Sequence, residues 1–140
     1  MIQIRDIGPG DIDLPPAVPP GLFDNDIRPD QSRAFLASPA NILLLAYAGD
    51  LAVGMASDTV LRHPDKAPAL FVNEVGTRDS HLRQGVATAL MQHLLALGRA
   101  RGCQGIWLGT EPDNLPALGL YRKLGGTEVP FTGFGWDDAL

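Results

Sequence analysis

A single cysteine, Cys103, stands in 140 residues, which excludes an internal disulfide framework and points to a reducing compartment. No stretch approaches the ~18 consecutive apolar residues of a membrane-spanning helix. The opening "MIQIRDIGPG" also lacks the basic start and apolar run of a secretory signal. Positive charge is in the minority: 11 Lys and Arg against 16 Asp and Glu leave a net charge of −5. That argues against a nucleic-acid partner, because phosphate contacts need a basic surface. Two nucleotide signatures are missing as well. There is no G-x-G-x-x-G opening a βαβ unit and no G-x-x-x-x-G-K-[ST], so neither a dinucleotide site nor a P-loop is encoded. His63 and His93 lack metal-ligand spacing with any cysteine or acid, so no metal is expected. What remains is a cytoplasmic protein without membrane or nucleic acid.

The residues that are present describe an ordinary globular chain, 45% hydrophobic and 19% charged. Its length predicts one domain over residues 1–140 with a core of its own. The acidic surplus fits a cationic small-molecule partner, or solubility alone. The first part, "IGPGDIDLPPAVPPGLFDNDIRPD", is punctuated by proline and has no long periodic run. It reads as a short strand (Ile2 to Ile7) followed by irregular structure bordering a cleft. "RPDQSRAFLAS" predicts a short helix capped by Asp30. "NILLLAYAGDLAVGMASDTVL" is two apolar runs joined at "GD", an antiparallel hairpin. "ALFVNEVGT" (Ala69 to Thr77) is a further strand.

From Gly85 the period changes. Val86, Leu90, Leu94 and Leu97 form a helical stripe, with Thr88, Gln92 and Arg99 facing away and Gly102 as the stop. "GIWLGT" reads as a buried strand and Cys103, just before it, as a buried, inert thiol. "EPDNLPALGLYRKLGG" predicts a second amphipathic helix opening at Asp113 or Asn114 and ending at Gly125 and Gly126. Its inner face would carry Ala117, Leu120, Tyr121 and Leu124. The tail "TEVPFTGFGWDDAL" has room for one or two last strands. The class is α/β, a mixed sheet with helices on both faces.

A strand that ends before a glycine turn opening a helix can bind an anion. The first-turn N–H groups lack helical partners, and the dipole favours negative charge. Gly85 would let the backbone approach a pyrophosphate, and small Ala87 would keep the mouth open. Many such turns bind nothing, so the second helix decides. "RQGVATAL" and "EPDNLPALGLYRKLGG" together resemble the acyl-CoA signature of the Gcn5-related N-acetyltransferase (GNAT) superfamily. Asn114, Ala117, Leu120, Tyr121, Lys123 and Gly125 each match its N-x-x-A-x-x-L-Y-x-K-x-G element. Leu82 departs from the [QR] that usually opens the turn, with Arg83 and Gln84 adjoining it. The resemblance extends from Asn41 to Gly126. Within the superfamily it is greatest to the small aminoglycoside 3-N-acetyltransferases, through "LFDNDI", "LLLAY" and "ALGLYRKLGG".

The resemblance implies the GNAT fold, a mostly antiparallel mixed sheet splayed at the acyl-CoA site. It also implies acetyl-CoA as co-substrate, a homodimer, and acetyl transfer to an amine, with aminoglycoside antibiotics the leading acceptors. A peptide or other small amine is the alternative acceptor, and a non-catalytic acyl-CoA-binding regulator the alternative class. Cofactor binding falls to Val75, Gly76 and Thr77 on the strand, to Arg83, Gln84, Gly85, Val86, Ala87 and Thr88 at the turn, and to Asn114 and Tyr121. Asn114 is equally well placed to cap the helix and do nothing more. Glu74, the one acid in an apolar strand, is the expected base, directly or through water, with a solvated strand residue as the bland alternative. Tyr121 is either a core residue or the acid for the leaving thiolate. A cationic acceptor would be held by Glu74 with Asp24, Asp26, Glu111, Asp113, Asp137 and Asp138.

Overall fold

The computed structural model describes residues 1–136 and residue 138. They fall into two compact units, Met1–Gly109 and Thr110–Leu140. The first is built on a five-stranded sheet whose order follows the chain: β1 (Ile2–Ile7), β2 (Asn41–Ala48), β3 (Leu51–Leu61), β4 (Ala69–Thr77) and β5 (Gly105–Trp107). Strands β1 to β4 pair antiparallel, and β5 joins β4 in parallel. The sheet is therefore mixed and mostly antiparallel, as the sequence predicts.

Alternation along the strands sorts side chains to two faces. One face carries Ile7, Leu43, Leu45, Ala52 and Met55, which pack with Leu36 of helix α1 (Pro29–Ala37) and with Leu22 from the proline-rich segment. The other face receives helix α2 (Val86–Ala100). Its Val86, Leu90 and Leu94 are buried, the two leucines completely. Each such leucine stabilises the fold by about 1.5–3 kcal/mol relative to an exposed one. Gly98 is part of this contact: a Cβ there would lie 2.6 Å from Ile106 Cδ1. A mid-helix glycine is kept because β5 comes too close for anything larger.

Several boundaries differ from expectation. Helix α1 begins at Pro29 with Arg28 as its cap, so Asp30 lies in the first turn and acts on the dipole without capping. The predicted buried strand "GIWLGT" pairs only over Gly105–Trp107, and Trp107 is 52% exposed. Cys103 is half-buried. Among the described residues no helix is long and apolar enough to cross a membrane.

The second unit is organised by helix α3 (Leu115–Lys123). Asn114 Oδ1 accepts the Ala117 N–H at 3.3 Å, a cap of the kind that contributes about 1 kcal/mol. At the other end Gly126 N–H bonds to Tyr121 O and Gly125 N–H to Arg122 O, both at 3.0 Å, the double closure that a left-handed Gly125 permits. Beyond it Arg122 and Glu128 pair at 2.7 Å. The tail forms no strand among the described residues. Pro130, Gly133 and Gly135 interrupt any run long enough to make one.

Candidate functional site

The register of β3 with β4 breaks at one place. Ser57 pairs with Glu74 and the next residue, Asp58, pairs with Val72, which leaves Asn73 as an extra residue on β4. Bulges of this kind redirect the side chains beside them. Asn73 Nδ2 is anchored to Thr59 Oγ1 at 3.0 Å, and Glu74 stays exposed on the face that also carries Met55 and Ser57.

There Glu74 lines a cavity of about 300 Å³, with Phe35 and Leu43 among its apolar walls. The proline-rich segment supplies the facing wall, from Phe23 to Arg28, and brings Asp24 and Asp26 into the same cavity as Glu74. Three of the predicted acceptor-binding acids thus meet in one place. Arg28, Gln31, Ser32 and Ser57 also line it, and the sequence reading missed them. Gln31 and Ser32 sit one helical turn into α1, and Ser57 sits in a run of three polar residues with no alternation to mark it. Nothing local distinguishes them from ordinary surface.

The β4 residues expected to bind the cofactor, Val75 to Thr77, lie along an open edge. Pairing with β5 stops at Phe71, so from Val72 to Thr77 no strand pairs with that edge among the described residues. Main-chain groups of Val75 and its neighbours are left free to pair with an extended ligand. Gly76 lies instead toward the cavity wall, where a Cβ would stand 3.4 Å from the Leu22 carbonyl oxygen.

After β4 the chain makes a short 3₁₀ turn (Asp79–His81) and enters α2 through Leu82 to Gly85. Arg83 and Gly85 both have left-handed backbone, at φ 61° and 82°. The first helical bond runs from Ala89 N–H to Gly85 O, so the N–H groups of Val86, Ala87 and Thr88 have no acceptor within the helix. No atom lies within 4 Å of where a Gly85 Cβ would be. The turn is open, exposed and rich in donors, which suits a pyrophosphate. Arg83 is exposed beside it, and Gln84 Nε2 folds back to the Ser80 carbonyl at 3.5 Å.

The remaining predicted residues belong to the second unit. Glu111, Asp113 and Asp138 are exposed, and Asn114 caps α3. Tyr121 is half-buried, and that burial raises its phenol above the ordinary value of 10.0. Asp137 lies outside the described residues.

Known proteins share this fold. Residues 13–126 match the acetyltransferase (GNAT) family. Over 71 residues the chain is 31% identical to streptothricin acetyltransferase of Streptomyces lavendulae, a match spanning 51% of this chain and 35% of that protein. An aminoglycoside acetyltransferase from an uncultured soil metagenomic sample superposes with a TM-score of 0.83 at 24% identity, covering 98% of this chain and 99% of the other. A second one from such a sample, in complex with sisomicin, gives 0.87 at 14% identity over 97% and 95%. Aminoglycoside N-acetyltransferase AAC(6')-Iy in complex with CoA gives 0.78 at 20% identity over 99% and 96%. At these identities the structural likenesses speak for the fold.

Proposed function

The chain belongs to the acetyltransferase (GNAT) family, whose members use acetyl-CoA, and from that premise we propose that it acetylates an amine of a cationic small molecule, with aminoglycosides first. The observation that carries this reading is the cavity shared by Asp24, Asp26 and Glu74, set on the sheet face beside the open edge of β4. Several carboxylates converging on one multivalent cation add up, although each exposed pair contributes only ~0–1 kcal/mol. The two units are read as parts of one catalytic domain working in the cytoplasm.

Acetyl-CoA supplies an activated acetyl group; the chain's residues supply orientation and proton handling. Main-chain N–H groups at Gly85 to Thr88 hold the pyrophosphate, with Arg83 and Gln84 beside it. The free edge of Val75 to Thr77 pairs with the pantetheine arm, and the Val75 N–H faces the carbonyl oxygen as charge develops there. Asn114 adds a contact to that arm from its capping position. Glu74 removes the proton from the incoming ammonium, directly or through one water. Tyr121, a protonated phenol at neutral pH, returns a proton to the departing thiolate. Glu111, Asp113, Asp137 and Asp138 extend the acidic surroundings of the acceptor.

The test is a steady-state assay of thiol release with a panel of aminoglycosides, streptothricin, a polyamine and a peptide amine. Turnover of an aminoglycoside is expected, with the 3-amino position the first to check in the product. Turnover confined to a neutral or acidic amine would overturn the acceptor class and leave the acetyltransferase reading standing.

A further inference from the structure

The wall of the cavity that carries Asp24 and Asp26 has little to hold it in shape. Between Pro19 and Ile27 the chain forms no helix or strand. A second cavity of about 340 Å³ lies on this segment, also lined by Phe23, Asp24 and Asp26. Apolar packing fixes Leu22 and Phe23 to the sheet face. Among the described residues, the hydrogen bonds to this stretch come from a single side chain, Arg78. Its Nη1 donates to Pro20 O and its Nη2 to Pro19 O, both at 2.7 Å, while Nε donates to Ala52 O on β3 at 2.8 Å.

We propose that Arg78 is a positioning residue for the acceptor: its guanidinium fixes the Pro19–Ile27 wall against the strands that carry Glu74. The proposal rests on reading the cavity as the acceptor site. Arg78 suits the task because its planar fork meets three carbonyls in fixed directions, which a lysine ammonium cannot reproduce. Its own main chain is anchored at both ends. The N–H donates to Val53 O at 2.8 Å, and the carbonyl accepts the His81 N–H at 2.9 Å on the way into the glycine turn. The wall is shaped to receive it: Gly21 has φ 104°, and a Cβ there would stand 3.1 Å from Arg78 Nη1. No carboxylate pairs with Arg78 among the described residues. Its charge is spent on orienting backbone.

The experiment compares the full chain with Arg78→Met and Arg78→Lys, using sisomicin as acceptor probe and chymotrypsin cleavage after Leu22 or Phe23 as a readout that needs no acceptor. In Arg78→Met the KM for sisomicin should rise tenfold or more while the KM for acetyl-CoA stays within threefold. Cleavage at the wall should accelerate severalfold, and Arg78→Lys should fall between the two. Equal rises in both KM values, or cleavage and acceptor KM at wild-type levels, would overturn the proposal. If wild-type protein does not acetylate sisomicin, the acceptor with the highest turnover in the panel replaces it as the probe, and the cleavage comparison decides the role of Arg78. Should Arg78→Met fail to fold, Arg78→Lys decides: a threefold or larger change in wall cleavage or in sisomicin KM supports the proposal, and wild-type values overturn it.

Discussion

Two side chains carry the proton traffic in the proposed reaction, and their surroundings differ in the way those roles require. Glu74 is exposed at a cavity shared with two other acids, where an ammonium ion would be drawn in by charge. Tyr121 is half-buried, which raises its phenol above the ordinary 10.0; like any tyrosine it carries its proton at neutral pH and can act as a donor. Glu74→Gln and Tyr121→Phe nearly preserve shape. Acetyl-CoA binding, followed by calorimetry, should persist in both, while turnover falls by ~10² or more. If both variants keep turnover within a few-fold of wild type, simple proximity of the reactants carries the chemistry.

At the scale of elements, the strand–turn–helix from β4 into α2 is the part that local sequence describes best. A short apolar run marks Ala69–Thr77, and the stripe of Val86, Leu90 and Leu94 marks α2. The glycine between them stands where the backbone turns left-handed. Gly85→Asp would place a negatively charged side chain at φ 82°, next to the N–H groups of Val86 to Thr88 that lack helical acceptors. Acetyl-CoA affinity should drop at least tenfold in a protein that still melts cooperatively. Unchanged affinity in the folded variant would remove the pyrophosphate from this turn. What the sequence could not disclose depends on distant partners. The bulge at Asn73 exists only in the register of β3 with β4. The end of β5 at Trp107 is set by its pairing with β4, and Arg78 finds its acceptors 26 to 59 residues away. The acidic wall was legible as acids in a proline-rich stretch. Its meeting with Glu74 needed the fold.

For the molecule as a whole, the most consequential single group is one that takes no part in the site. Asp58, on β3 opposite Ile42 and Val72, is completely buried, and neither carboxyl oxygen has a hydrogen-bond partner among the described residues. It sits in a polar run, Ser57 to Thr59, within the second strand of the hairpin. Burial pushes its pKa from the ordinary 3.8 up to about 8, so the folded protein carries Asp58 as a neutral acid at pH 7. The unfolded chain ionises it above pH 3.8, and each folding event in that range must take up a proton. Stability from this group is therefore fully present below about pH 4, declines as pH rises toward 8, and is lost above it. The slope is about 1.4 kcal/mol per pH unit. Asp58→Asn keeps the shape and removes the titration. Urea unfolding of both proteins at several values between pH 5 and pH 9 isolates the effect. Relative to Asp58→Asn, wild type should lose stability steadily up to about pH 8 and then level off. Parallel curves over that range would mean that Asp58 finds a partner or solvent in the folded protein and is not held neutral.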